Sequence, residues 1–142
     1  MNLVSIRLIT DNVAALVAFY ERALQTTATW STDDFAEVRT TTGTEGGVAS
    51  GTLAIGSTRT VGLFGPGAAR PADNHTAIIE FLVDDVDALY EQLRVWVSDV
   101  VTVPTTMPWG NRSLLVRDPD GTLVNFFTPV SPEAVAKFAV QR

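Results

Sequence analysis

Two stretches of the chain repeat the same arrangement of apolar positions. One begins behind Asn12 and the other behind Asp85, with apolar residues at Val13, Leu16, Tyr20 and Leu24 and at Val86, Leu89, Leu93 and Val97. A spacing of three or four residues behind an Asn or Asp cap predicts an amphipathic helix. The two patterns coincide under a shift of 73 residues, the separation of Asn12 from Asp85. The chain is therefore predicted to repeat a structural unit.

One strand pattern precedes each predicted helix, and three follow it. Before the helices, apolar residues alternate with others at Val4, Ile6 and Leu8 and at Ala77, Ile79, Phe81 and Val83. After them, β-prone stretches cover residues 27–31, 35–41 and 48–64, the last with a turn or bulge near Gly56, and residues 100–103, 112–117 and 122–128. The turn Asp118-Pro119-Asp120-Gly121 separates the final two stretches. This order predicts an α+β fold of two tandem βαβββ modules.

The domain organisation follows from this repeat. We expect a single domain over residues 1–142, with modules at about 1–66 and 75–130. Glycine, proline and short side chains at residues 65–74 predict the linker between the modules. Residues 131–142 predict a C-terminal helix that is capped by Ser131 and has Val135 and Phe138 on one face.

Composition narrows the function classes. The net charge of −6 argues against nucleic acid as a partner, because duplex binding needs Lys and Arg to neutralise phosphates. Cysteine is absent, so the chain has neither a thiolate nucleophile nor a thiolate metal site. The apolar runs are too short to span a bilayer, and the N-terminus lacks the layout of a signal peptide. We expect a cytoplasmic protein with no membrane partner.

Several motifs in order along this scaffold carry a family resemblance. They are the run from Met107 to Arg112, the turn at residues 118–121, the run from Leu123 to Phe127, the Phe19-Tyr20 pair and the segment 83–87. With the repeat, they make the chain resemble the glyoxalase/bleomycin resistance/dioxygenase (vicinal oxygen chelate) superfamily. The resemblance implies eight strands that curl into a concave sheet around a cavity. It also implies a homodimer.

The resemblance further implies four inward positions where metal-dependent members place His or Glu. In this chain they hold Ser5, Gly62, Ile78 and Asn125. Ser and Asn are weak neutral donors, while Gly and Ile offer no side-chain donor. His75, the single histidine, is interpreted as an exposed loop residue. We expect no metal or other cofactor, and a divalent metal at an atypical site stays possible.

Strand alternation predicts which side chains line the implied cavity. If Val4, Ile6 and Leu8 pack on the helices, their neighbours on β-strands point the other way. The first strands of the modules pair in this family, so Arg7 and Glu80 are expected to be neighbours, either as an ion pair or as a polar anchor for a ligand. Tryptophans in loops favour a ligand or a subunit contact. The candidate ligand-binding residues are Ser5, Arg7, Trp30, Phe35, Ile78, Glu80, Trp109, Arg112, Asn125 and Phe127.

Three functions remain open at this point. The one we favour is metal-free binding or sequestration of a small, antibiotic-like molecule, as the resemblance to bleomycin-resistance proteins implies. The alternative is an enzyme of the same superfamily: either a lyase or isomerase that uses Glu80, expected to be buried, as a metal-free base, or a dioxygenase-like enzyme with an atypical metal site. The third is a dimeric scaffold without a ligand.

Overall fold

The computed structural model describes residues 1–41 and 49–139. The chain forms two compact units, Met1–Asn74 and His75–Arg142. Each contains one four-stranded mixed sheet with helices, so the predicted α+β fold with two tandem modules is confirmed. The start of the predicted stretch 48–64 and the last three residues of the predicted C-terminal helix lie outside the described residues. Residues 65–74 form neither helix nor strand.

The first unit has the strand order β1-β4-β3-β2. Strand β1 is parallel to β4, and the other neighbours are antiparallel. Its elements are β1 (Ile6–Thr10), α1 (Val13–Leu24), β2 (Thr29–Thr32), β3 (Phe35–Thr41), β4 (Ala49–Ser57), a 3₁₀ turn (Thr58–Thr60) and α2 (Val61–Phe64).

The second unit repeats this topology with the strand order β5-β8-β7-β6. Strand β5 is parallel to β8, while β8, β7 and β6 are antiparallel neighbours. Its elements are β5 (Ile78–Leu82), α3 (Val86–Leu93), β6 (Val100–Thr106), β7 (Asn111–Arg117), β8 (Leu123–Pro129) and α4 (Pro132–Phe138).

Both predicted N-caps are confirmed. Asn12 Oδ1 accepts a hydrogen bond from the Ala15 amide at 3.0 Å, and Asp85 Oδ1 accepts one from the Ala88 amide at 3.0 Å. The second helix is shorter than its apolar pattern, since α3 ends at Leu93. Val97 belongs to the turn that follows, where its amide donates to the Leu93 carbonyl at 2.8 Å.

Each unit has its own apolar core between a helix and one face of its sheet. In the first, α1 buries Leu16, Val17 and Tyr20 against Ala36, Val38 and Ile55 of β3 and β4. In the second, α3 covers a face built from Leu114, Val116, Val124 and Phe126, all of them fully buried. Phe81 stacks on Phe126 with ring centroids 5.5 Å apart, which confirms that Phe81 points to the helix side of β5.

The turn predicted near Gly56 is confirmed, but the prediction of further strand residues up to 64 is wrong. Strand β4 ends at Ser57, and local hydrogen bonds turn the chain into the 3₁₀ turn and α2. Ser57 Oγ accepts from the Arg59 amide at 3.2 Å, and Thr60 Oγ1 donates to the Ser57 carbonyl at 2.7 Å. Gly62 therefore lies in a helix rather than on an inward-facing strand position.

Helix α4 is held to the second sheet at both of its ends. Ser131 Oγ accepts from the Ala134 amide at 3.1 Å, which confirms the predicted cap. The carbonyl of Gly110 accepts from the amides of Val130 and Ser131 at 2.9 and 3.1 Å. The Phe138 ring lies 5.1 Å from that of Phe127 in β8. Val135, predicted to share the packed face, is 42% exposed, and the buried residue of the helix is Ala134.

None of the helices within residues 1–41 and 49–139 has the length and apolar character needed to cross a bilayer.

Candidate functional site

The second sheet has one face packed on α3 and another that carries polar side chains. Cross-strand partners share a face, so Glu80 of β5, Asn125 of β8 and Leu115 of β7 lie side by side. Alternation then adds the residues two positions away on each strand. We call this surface the Asn125 face; it consists of Ile78, Glu80, Leu82, Ser113, Leu115, Arg117, Leu123, Asn125 and Phe127.

A hydrogen bond joins Glu80 and Asn125 at the middle of this face. Asn125 Nδ2 donates to Glu80 Oε2 at 2.7 Å. A carboxylate only accepts, so this bond fixes the orientation of the amide and turns its Oδ1 away from Glu80. Asn125 is 8% exposed, and no hydrogen-bond partner of its Oδ1 exists in the described part of the chain. Asn125 Oδ1 is thus an oriented acceptor that has no partner in the described chain and is closed off from solvent in this structure.

A second unused polar atom lies diagonally across from Asn125. Ser113 is opposite Phe127, two pairs along from Leu115 and Asn125. Its side chain is 1% exposed, and its Oγ has no partner among residues 1–41 and 49–139. Leaving a buried donor or acceptor unsatisfied costs about 1–3 kcal/mol. Asn111 Oδ1, two positions before Ser113 on β7, is a third such atom, so this face has three buried polar atoms that need a partner such as an ordered water.

The structure corrects one premise about Glu80. Its side chain was expected to be buried, but Glu80 is exposed. The reason is its position on β5, which lies at one end of the sheet order and pairs only with β8 within its unit. Asn125, on the next strand inward, is the buried member of the pair.

Two predicted site residues come together in the first unit, on the face of its sheet opposite α1. The Arg7 guanidinium lies over the Phe35 ring at 4.5 Å from the centroid. It also lies 5.2 Å from the Phe64 ring of α2. Sequence reasoning missed Phe64 because it assigned residues up to 64 to a strand. The signal that could have shown the turn is the run Ser57-Thr58-Arg59-Thr60, which is rich in hydroxyl side chains that cap helical turns.

Other predicted site residues are spread along the chain. Ser5 immediately precedes β1, and Ile78 of the Asn125 face is 50% exposed. Trp109 is 68% exposed in the loop between β6 and β7. Arg7 and Glu80 belong to different compact units, so their expected proximity stays a prediction.

Two other candidate residues lie on the same side of their sheets as the helices. Trp30 pairs with Ala36, whose side chain belongs to the face under α1. Arg112 pairs with Thr128, two positions from the buried Phe126. Its guanidinium donates two hydrogen bonds, at 2.7 and 2.8 Å, to the Asp87 carboxylate of α3. Arg112 thus ties β7 to the helix.

The Arg112 pair makes stability depend on pH. The hydrogen bond from Arg112 and its positive charge hold the pKa of Asp87 below its ordinary value of 3.8. A carboxyl group with a lowered folded-state pKa contributes stability above its unfolded pKa and loses it as the pH falls through the folded value. We expect the difference in free energy of unfolding between the native chain and Asp87→Asn to shrink from about pH 5 toward pH 2 in urea titrations. Because the pair is exposed, the difference is small even at neutral pH, and a pH-independent difference would contradict this assignment.

The residues present do not fit a divalent metal. Arg7 is paired with Ala54 in the first unit as Glu80 is paired with Asn125 in the second, so Ala54, not Gly62, is the structural counterpart of Asn125. Alanine has no donor, and the Asn125 nitrogen is turned to Glu80. Within residues 1–41 and 49–139, no group of three or more His, Asp or Glu side chains is arranged to hold a metal ion.

Comparisons with known proteins agree with this architecture. The family model described as Glyoxalase/Bleomycin resistance protein/Dioxygenase superfamily matches residues 2–126, so the chain belongs to that superfamily. No curated protein matches the chain.

Several solved structures are similar to the chain. One described as a conserved domain protein is 30% identical, with a TM-score of 0.66 over 91% of this chain and 99% of the other. A glyoxalase/bleomycin resistance protein/dioxygenase from Nocardioides is 20% identical, with a TM-score of 0.71 over 93% and 85%. TioX from Micromonospora sp. ML1 is 22% identical, with a TM-score of 0.63 over 92% and 100%. The last two likenesses concern the fold.

Proposed function

We propose that this protein binds and sequesters a small organic molecule on the Asn125 face without a divalent metal. The observation that carries the proposal is the buried amide of Asn125, which Glu80 orients and whose Oδ1 has no partner in the described chain. Binding sites combine an apolar wall with a few placed polar groups. Here Leu82 and Leu115 supply the wall beside Asn125.

The free atoms define the chemistry of the ligand. Asn125 Oδ1 accepts hydrogen bonds, and Ser113 Oγ accepts or donates. Glu80 adds a carboxylate that has no ion pair within the described residues of its unit. The ligand should therefore present N–H or O–H donors toward β8, next to an apolar part that packs on Leu82 and Leu115, since Phe127 is covered by Phe138. A cationic donor would gain further from Glu80.

The remaining predictions about the site and its context are part of this proposal. Ile78 and Trp109 of the second unit are proposed to contribute contacts, although their side chains are more exposed than that of Asn125. We also propose a cytoplasmic homodimer, a state that the superfamily resemblance implies.

A second candidate is a metal-free lyase or isomerase in which Glu80 removes a proton. The hydrogen bond from Asn125 favours it, because a base must be held in one orientation to be efficient. Glu80→Gln keeps an oxygen that accepts from Asn125 but removes the basic carboxylate. An enzyme would lose turnover in this variant and keep ligand binding, whereas a binding protein would show no turnover in either form.

The binding proposal is tested by thermal denaturation of the purified protein with a panel of natural products, with and without EDTA. A ligand that binds only the folded state raises the melting temperature, and saturation at about 100 times its Kd adds about 2.7 kcal/mol of stability. We expect one chemical class to do so equally in both conditions. Stabilisation that EDTA abolishes would contradict metal-free binding, and a flat response across the panel would favour a scaffold without a ligand.

A further inference from the structure

Arg7 holds its guanidinium against two aromatic rings and leaves its polar edge unused. The group lies within cation–π distance of Phe35 and Phe64. Within residues 1–41 and 49–74, it forms neither a hydrogen bond nor an ion pair. Arginine carries five N–H donors in one plane, and rings placed over the face of the group leave these in-plane donors available.

The surface beneath Arg7 allows this placement. Gly56 is opposite Phe35 in the sheet, and a Cβ at Gly56 would come within 3.8 Å of Arg7 Cδ and 3.5 Å of Ile9 Cδ1. These are van der Waals distances, so the Arg7 stem runs along β4 next to Gly56, the residue opposite Phe35. The rings and the stem restrict the guanidinium, so it loses less conformational entropy when an anion binds.

The nearest carboxylate in the same cross-strand row is already engaged. Arg7, Ala54 and Glu37 are register partners across β1, β4 and β3. Glu37 accepts a 2.7 Å hydrogen bond from Arg39 on its own strand. Ala54, between Arg7 and Glu37, carries no charge. The first unit therefore provides a carboxylate on this face and pairs it with a different arginine.

We propose that Arg7, Phe35 and Phe64 form a subsite for an oxyanion group, a carboxylate or a phosphate, attached to an apolar part of a small molecule. The N–H fork of Arg7 binds two oxygens of the anion, since guanidinium matches this geometry. The rings of Phe35 and Phe64 contact the apolar part. The subsite assigns a ligand chemistry to Arg7, one of the predicted ligand-binding residues, and so it rests on the proposal that this protein binds a small molecule.

Simple probes test the subsite without knowledge of the natural ligand. Benzoate and phenyl phosphate carry the two oxyanions on the same ring, and benzamide is the neutral analogue of benzoate. We would titrate each into isotope-labelled protein and follow the amide resonances of residues 52–57 and the Arg7 Nε–H resonance by NMR. We expect benzoate or phenyl phosphate to shift these signals saturably, with benzamide at least about tenfold weaker, as the loss of a charge-assisted pair implies. The anion that binds more tightly shows whether the natural ligand carries a carboxylate or a phosphate.

Variants at Arg7 separate the contribution of its planar N–H donors to anion binding from the contribution of its positive charge. Arg7→Met keeps an unbranched stem and is expected to weaken anion binding by about tenfold or more. Arg7→Lys keeps the charge but not the planar fork, so we expect a loss of only about threefold to fivefold. Arg94→Met is the matched control, because Arg94 is an exposed arginine that is paired with Glu91 on α3. It removes the same charge and should change the affinity by less than about twofold.

A further variant tests the role of the engaged carboxylate. Arg39→Met releases Glu37, which then competes with the ligand for Arg7. Anion affinity should fall in this variant and return in Arg39→Met combined with Glu37→Gln. If Arg39→Met bound the anion as tightly as the native chain, Glu37 would not be competing for Arg7. That result would overturn the assignment of Arg7 as the unpaired cation of this face.

The subsite is overturned if benzamide binds as tightly as benzoate, or if Arg7→Met binds the anions like the native chain. These results are independent of the Asn125 face. Asn125→Leu should leave benzoate binding unchanged, so a failed subsite beside intact ligand binding at Asn125 would leave the proposed function standing. Conversely, anion binding at Arg7 together with no stabilisation by any member of the natural-product panel would leave the subsite standing and contradict the proposed function.

Discussion

Replacement of Gly110 by alanine is expected to lower the free energy of unfolding by about 2–5 kcal/mol. Gly110 has a φ of 90°, a conformation that a residue with a Cβ adopts only under strain. The added Cβ would also overlap Ser131 Oγ, lie 2.6 Å from Ser131 Cβ and come within 3.3 Å of Ala134 Cβ. Because Gly110 supports the start of α4, the clash should displace that helix. Urea denaturation followed by circular dichroism measures the loss.

Gly121 provides the matched control for this prediction. Its φ is 84°, but a Cβ there would meet nothing within 4 Å. Gly121→Ala therefore reports the backbone strain alone, about 1–2 kcal/mol. The excess loss in Gly110→Ala is the steric part, and Ser131→Gly in the same chain should recover some of it. Equal losses at the two glycines would show that the contact with α4 contributes nothing.

Asn125→Leu is expected to abolish ligand binding while leaving the fold intact. Leucine has the same number of side-chain heavy atoms and the same branching at Cγ as asparagine, although its methyl groups make it larger, and it cannot donate to Glu80 or accept from a ligand. Loss of an acceptor that a buried ligand donor requires should weaken binding by about 10–100-fold. The same change removes the buried, unpartnered Oδ1, so the free energy of unfolding should stay constant or rise by about 1 kcal/mol. Calorimetric titration with a ligand from the panel, beside urea denaturation, measures both quantities.

The opposite directions of the two effects separate binding from structure. If Asn125 stabilised only the fold, Asn125→Leu would lower the free energy of unfolding. Its apparent affinity for the ligand would then fall only in proportion to the fraction of folded protein. Thr122→Val is the control, because it exchanges another buried polar residue, in the turn before β8, for an apolar side chain of the same shape. It should leave affinity unchanged. Native affinity in Asn125→Leu would remove Asn125 from the site.

Much of the fold was predictable because it depends on local signals. The repeat of helix patterns behind Asn12 and Asp85 gave the tandem modules, and both caps form the hydrogen bonds that their residue types favour. The turn at residues 118–121 forms as expected, with the Asp118 carboxylate accepting from the amides of Asp120 and Thr122 at 2.9 and 3.0 Å. These features need no information about distant parts of the chain.

The errors arose where a non-local contact or a register decided the outcome. Trp30 was expected on a pocket loop, but it lies in β2 and pairs with Ala36, next to a bulge that shifts the register. Arg112 looked like an exposed ligand group, but its partner Asp87 is 25 residues away on α3. The end of β4 at Ser57 depended on hydroxyl hydrogen bonds that compete with the strand. Sequence patterns alone do not show which of two competing hydrogen-bonding arrangements has the lower free energy.

The candidate site was predictable in its residues but not in its arrangement. Alternation placed Glu80 and Asn125 on one face, and their 2.7 Å hydrogen bond confirms it. It could not show that Asn125 is the buried member, or that Ser113 also has an unused buried oxygen. Burial depends on strand order in the sheet, which puts β8 between β5 and β7.

The central claim is that this face receives an organic molecule and not a metal ion. Native mass spectrometry of the protein isolated from its own host tests it most directly, because intact and denatured masses report a bound small molecule, a bound metal and the oligomer together. The account predicts assemblies of the 15.3 kDa chain that carry an organic ligand, absent from Asn125→Leu prepared in the same way, and no stoichiometric metal. A divalent cation retained at one per chain, lost together with the ligand on EDTA treatment, would contradict it.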